Sequence, residues 1–196
     1  MRLLPLLGLL LPLSAFAQAK APPPGEPLTL TPAQDAAQEM ILVYEEFCLT
    51  RFPSAQAMED GIVAHRMAAA SAAEAGAALL GRPGTAWRLT TTKGSYLVAT
   101  ESGDRKGCAV VGDVADDSGV RAAFDLLVSS FIAGHDLGTP DKLPVQNGQV
   151  HGEPAALQLI GVTPGRLAKQ AFVNMATGKG PVMHVRLTRE FGPPGG

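Results

Sequence analysis

Apolar residues first recur at helical spacing in the stretch from Ala37 to Cys48. Ala37, Met40, Ile41, Tyr44 and Cys48 share one face, while Gln34, Asp35, Gln38, Glu45 and Glu46 fill the other sides. Thr31 reads as the N-cap, Pro32 as the first helical residue and Gln34 as the partner in a capping box. Phe52-Pro53 ends this helix, because proline has no amide proton to continue the ladder. Ser54 caps a second helical stretch carrying Met58, Ile62, Arg66, Ala69 and Ala73, with an Ala-rich run to Leu80 and a stop at Gly81-Arg82-Pro83-Gly84. Gly61 and Gly76 weaken that stretch, which reads as one helix or two shorter ones, and small residues there allow close packing on a neighbour.

The period then changes to two. Trp87, Leu89 and Thr91 alternate with Arg88, Thr90 and Thr92, Lys93-Gly94 reads as a tight turn, and Ser95 to Glu101 and Cys108 to Val114 complete an antiparallel meander. Asp116, Asp117 and Ser118 start the next helix, whose stripe is Val120, Phe124, Leu127, Val128 and Phe131, and Gly134 ends it. Residues 135 to 154 read as a long loop rich in Gly, Pro, Asp and Asn. Three more strands are expected at Ala155 to Val162, Leu167 to Met175 and Val182 to Arg189. In the last, Met183, Val185 and Leu187 point one way and His184, Arg186 and Thr188 the other. Blocks of helix and strand predict an α+β fold: N-terminal helices packed on a mainly antiparallel sheet of about five to six strands, with one central helix between two strand groups.

The termini add a compartment. Arg2, the apolar stretch Leu3 to Leu13 and Ala15-Phe16-Ala17 have the layout of a secretory signal peptide over residues 1–17, cut near Ala17. The apolar stretch is shorter than the about 20 residues a spanning helix needs. The Pro-rich leader 18–30 reads as extended and the tail 192–196 as disordered, leaving residues 31–191 as a single α+β domain in the periplasm or secreted. The formal charge is −2, with Lys and Arg scattered and aromatics at 5%, which disfavours a nucleic-acid surface. The two cysteines, Cys48 and Cys108, are expected to pair once exported, closing a loop; two buried free thiols are the competing reading.

Candidate chemistry is sparse. His65, His135, His151 and His184 form no short metal-ligand pattern, so no metal or cofactor is expected, though their convergence on a metal stays open. His65 falls at a helix margin, His135 just past a helix C-terminus, and His184 on an exposed strand face. His135-Asp136 beside Ser129 and Ser130 has the residue types of a triad without the defining spacing, and no G-x-S-x-G elbow is present. Gly178-Lys179-Gly180 is followed by Pro181, which suits a hairpin connection better than a phosphate loop. Trp87, Tyr44, Tyr96, Phe47 and Phe124 are expected to anchor the core.

At Phe47-Cys48, Phe52-Pro53, Trp87, Tyr96 and Cys108-Ala109-Val110 the chain resembles an uncharacterised family of small exported proteobacterial proteins, over residues 32 to 132. The resemblance implies export and paired cysteines and assigns no catalytic residue. The sequence therefore leads to an exported, non-catalytic binding or interaction domain whose partner is an unknown protein or small molecule. The alternative is a small periplasmic hydrolase using His135, Asp136 and a Ser, or a His-metal cluster. Homodimerisation through an exposed strand is a third reading.

Overall fold

The computed structural model describes residues 32–103, 106–115, 117–162, 170–178 and 181–192. The signal-like segment 1–17, the leader 18–30, the Thr31 cap, Asp116, most of the tail and the Lys179-Gly180 connection lie outside the described residues.

The opening apolar stripe winds into α1 (Pro32–Tyr44), which continues as a π-helical segment over Glu45–Arg51. The amide of Phe52 closes it on the carbonyl of Phe47 at 2.9 Å, a wider turn than an α-helix makes. After Phe52-Pro53, a cis peptide, α2 (Ala55–Ala64) starts with the Ser54 side chain accepting from the amide of Ala57. The second helical stretch is two helices. A two-residue strand, β1 (Ala68–Ala69), separates α2 from α3 (Ala72–Ala78), and a Ser71–Glu74 capping box restarts the chain.

Three strands follow, β2 (Gly84–Thr90), β3 (Ser95–Glu101) and β4 (Lys106–Val114), then α4 (Asp117–Gly134). A second meander completes the chain: β5 (Asp141–Val150), β6 (Glu153–Val162), β7 (Gln170–Thr177) and β8 (Met183–Phe191). Among the described residues all eight strands join one antiparallel sheet in the order β1-β2-β3-β4-β8-β7-β6-β5. The chain's last strand thus lies at the centre and fuses the two meanders through β4.

The α+β class and the antiparallel sheet agree with the sequence reading; the strand number does not. Eight strands replace five to six. One addition is β1. The other is β5, which occupies the stretch read as a loop. β5 is exposed along nearly its whole length, so both of its faces carry polar residues and no alternation marks it. Its Pro144 and the register shift between Leu143 and Gln146 suit an edge strand.

The sheet buries both faces unequally. Against one face lie α1, the π-helical segment and α4, over Val98, Cys108, Val110, Phe172, Val185 and Leu187. Against the other, among the described residues, lies only α3, whose Ala75, Ala78 and Leu79 rest on Ala86, Ala99, Ala109 and Val111. Small residues on both sides let that short helix sit close to the strands. Tyr44, Tyr96, Phe47 and Phe124 are buried in the larger layer as expected. The hydroxyl of Tyr44 donates to the carbonyl of Thr188 at 2.9 Å, and that of Tyr96 donates to Glu39 Oε2 at 2.9 Å. Burial pushes both phenols well above the usual tyrosine range. Trp87 departs from the expectation: it is half-buried, for a reason that belongs to the site below.

Cys48 in the π-helical segment and Cys108 on β4 are joined by a disulfide, with Cα atoms 5.4 Å apart and a separation of 60 positions in sequence. Both are sealed in the core. The bridge thus binds the first helical layer to the middle of the sheet.

Candidate functional site

The sheet face that carries the helices is not fully roofed. α2 packs on the π-helical segment and stands off from β2 and β3, leaving a groove of about 630 Å³. Met58, Ile62 and Val63 of α2 form one wall with Phe52; Thr85, Trp87 and Thr100 form the sheet side. Trp87 has the strand parity of Val98 and Val110, so its ring belongs to the core face. It stays partly exposed because the roof above it is open. Val63, across the groove, is 70% exposed. Glu59 and Lys106 also line the groove and add charge to its rim. Such a mixture suits a ligand that is mostly apolar with a polar end.

α2 is held in this stance by a cluster at its base. Arg51 donates from Nε and Nη2 to Glu46 Oε1, at 3.1 and 2.8 Å, and from Nη1 to the carbonyl of Ala57 at 3.0 Å. His65, at the C-terminal end of α2, meets the same Glu46 oxygen through Nε2 at 2.9 Å. Burial works to raise the Glu46 pKa, but its bonds to Arg51 and His65 outweigh that and hold the carboxyl below its ordinary value.

Compared with protein-family models, curated proteins and solved structures, the chain matches none. Function therefore rests on this geometry.

The structure scatters the residues with catalytic potential. His135 Nδ1 lies 2.9 Å from the carbonyl of Phe131, one helical turn back, and its ring stacks on Phe131 at 4.1 Å between centroids. Ser130 and His135 share a hollow of about 480 Å³ with Glu45, but no hydrogen bond joins Ser130 to His135 among the described residues. Asp136 turns away into a left-handed backbone conformation, φ 50°, and the hydroxyl of Ser129 is buried without a partner among the described residues. His184 lies on the opposite sheet face from α1 and α4, with Nδ1 2.9 Å from Asp113 Oδ1 on the paired strand, and both side chains are exposed. No group of three or more His, Cys, Asp or Glu is placed to hold a metal among the described residues. Cys48 is a disulfide partner and so carries no free thiol.

Two arginines of β8 escape the sequence reading. On the strand face that also carries the exposed His184, Arg186 and Thr188 are buried, at 5% and 1% exposed. Arg189 is 6% exposed and has no ion pair among the described residues. Its Nη1 donates to the carbonyls of Cys48, Leu49 and Phe52 at 3.1 to 3.3 Å, and Nε and Nη2 donate to Gln170 Oε1 at 3.2 and 3.0 Å. Phe131 and Phe191 flank the guanidinium, with ring centroids 4.8 and 4.9 Å away. Burial pushes its pKa down, with Tyr44 opposing. The π-helical winding brings orphan carbonyls to this one cation. The signal was present in the alternation: Arg189 continues the Met183, Val185, Leu187 parity, which is the core face.

Proposed function

We propose that this protein is exported and acts by binding, with the groove between α2 and the β2–β3 sheet surface taking a ligand that is chiefly apolar. The observation that carries the reading is the half-open Trp87, facing Met58, Ile62 and Val63 across a hollow that no element of the described chain fills. A partly exposed aromatic ring opposite aliphatic side chains gains about 2.5 kcal/mol for each 100 Å² of apolar surface a ligand removes from water. The signal-like first seventeen residues and the buried disulfide support export. Among the described residues no helix is long and apolar enough to cross a membrane.

Trp87 is the single tryptophan, so intrinsic emission reports on this groove alone. The probe is N-phenyl-1-naphthylamine, a neutral aromatic that brightens in apolar sites and accepts energy from indole. Saturable uptake with quenching of Trp87 emission is the expected result. Val63→Glu, on an exposed rim position, weakens uptake at least ten-fold with melting temperature unchanged. Uptake without Trp87 quenching, or indifference to Val63→Glu, defeats the groove. Export is tested separately by expressing the full chain in a Gram-negative host. A periplasmic product starting at Gln18 is expected, and an unprocessed cytoplasmic product defeats that part.

A further inference from the structure

The opposite face of the sheet carries a second hollow, remote from Trp87. It holds about 470 Å³ between the C-terminal turn of α3, the β5–β6 turn and the open half of the sheet. Its polar lining is Arg186, His184 and Thr177 from the sheet and His151 from the turn; Leu80, Val111 and Met175 supply apolar surface. Cross-strand register puts Val111, Arg186 and Met175 side by side in one row, with His184 and Thr177 paired in the next.

Arg186 makes this more than a crevice. It is 95% buried by its 5% exposure, and only Nε is engaged, donating to the carbonyl of Ala78 at 2.8 Å. The two terminal nitrogens carry no hydrogen bond among the described residues, and the residue lines the hollow. Glu101 and Glu190 both pair with Arg82 at 2.9 Å and also act on Arg186 through space, but neither is hydrogen-bonded to its terminal nitrogens among the described residues; Asp113 pairs with His184. A guanidinium with its fork unfilled, at the edge of an apolar cleft, matches a carboxylate in planar geometry. His151 is held over the cleft by a tight β5–β6 turn, where it takes φ 50° next to Gly152 at φ 83°. A two-residue hairpin turn of this kind takes positive φ at both central residues, so the turn itself sets the His151 backbone.

We infer that this cleft binds a small carboxylate with an apolar body: the carboxylate on Arg186, flanked by His151 and His184, and the body on Met175, Val111 and Leu80. This site goes beyond the groove reading and stands or falls independently of it.

The test titrates hexanoate into the full chain and follows the ring protons of His151 and His184 by NMR. Hexanamide serves as the neutral isostere and inorganic phosphate as the anion without a body. Hexanoate is expected to shift both rings saturably, with hexanamide and phosphate each at least ten-fold weaker and Trp87 emission unchanged. Arg186→Gln lowers hexanoate affinity at least ten-fold. Because Arg186 also caps α3, a second variant keeps the test alive. Leu80→Asp lies on the exposed rim at φ 52°, a conformation aspartate tolerates better than leucine, and its charge repels the probe with a similar loss. Equal binding of hexanamide, equal competition by phosphate, a response in Trp87 without the histidine rings, or undiminished binding by a folded Arg186→Gln or Leu80→Asp protein overturns the assignment.

Discussion

Arg186 and Arg189 stand three residues apart on the central strand β8, point to opposite faces of the sheet, and each donates to carbonyls at the end of a helix. Arg186 takes the Ala78 carbonyl of α3, and Arg189 takes those of Cys48, Leu49 and Phe52 at the end of the π-helical segment. The last carbonyls of a helix have no partner within it and carry the negative end of its dipole. Burying them without a donor would cost more than the fold can spare. One strand, β8, thus anchors both helical layers.

Arg189 tests that account. Leucine in its place leaves three carbonyls and Gln170 without their donor inside the core. Arg189→Leu should lower unfolding free energy by about 3 kcal/mol or more, since each buried neutral acceptor left without a donor costs about 1–3 kcal/mol. Arg189→Lys recovers only part, because an ammonium cannot address Gln170 and the carbonyls from one planar fork. Urea titration checks both, and a leucine variant within about 1 kcal/mol of the native protein removes the carbonyl sink from the explanation.

The disulfide should act through the unfolded chain. Closing a 60-residue loop is worth about 4 kcal/mol in the loop-entropy model. Cys108→Ser is expected to lower stability by about 2–4 kcal/mol without reductant, and the gap from the native protein should fall below about 1 kcal/mol once dithiothreitol opens the native bridge. A gap of the same size in both conditions means the sulfur matters through packing alone.

Two helix glycines should respond with opposite sign. A methyl at Gly76 meets nothing within 4 Å, so Gly76→Ala gains the helical preference of alanine, about 1 kcal/mol. A methyl at Gly61 falls 2.7 Å from Arg51 Cδ and Nε and 2.9 Å from a carbon of the Phe47 ring. Phe47 is fully buried and Arg51 is pinned by Glu46 and Ala57, so neither yields cheaply. Gly61→Ala should therefore destabilise by about 1–2 kcal/mol despite the propensity gain. Thermal melts of the two variants decide it, and a stabilised Gly61→Ala protein means that α2 does not rest on Phe47 and Arg51 as described.

How far the sequence reaches follows from what its pattern encodes. The stripe from Ala37 to Cys48 was legible because every member faces one core, and α4 was legible for the same reason. β5 was not, because a strand exposed on both faces has no alternation to read. The split between α2 and α3 was half-legible: Gly61 and Gly76 marked weakness, but the break itself is a two-residue pairing of Ala68 and Ala69 with Arg88 and Trp87. Trp87 read as core because its parity is core; the gap above it depends on how α2 leans, which no local pattern records. Arg186 sat on the polar parity of β8, and nothing in the alternation announces that α3 returns to cover that face. Both hollows lie where elements distant in sequence fail to meet, which is why composition and motifs pointed to neither.

The cluster at the base of α2 should make stability fall in acid. Glu46 holds Arg51 and His65 together, and its pKa in the folded protein lies below the ordinary glutamate value because those two bonds outweigh the effect of burial. The folded state then binds its proton less readily than the unfolded chain does. Its contribution is complete above the unfolded pKa and is lost as pH falls through the lower folded pKa. Glu46→Gln removes the titration and most of the attraction. The native protein should therefore melt higher than Glu46→Gln at pH 6, and the difference should close as pH drops below about 4.5. The side chain is a third exposed, so the effect is modest and should shrink further in 0.5 M salt. Melting curves of both proteins across this range check the sign. A difference that stays constant from neutral pH down through the acid range means that Glu46 positions α2 by shape and not by charge.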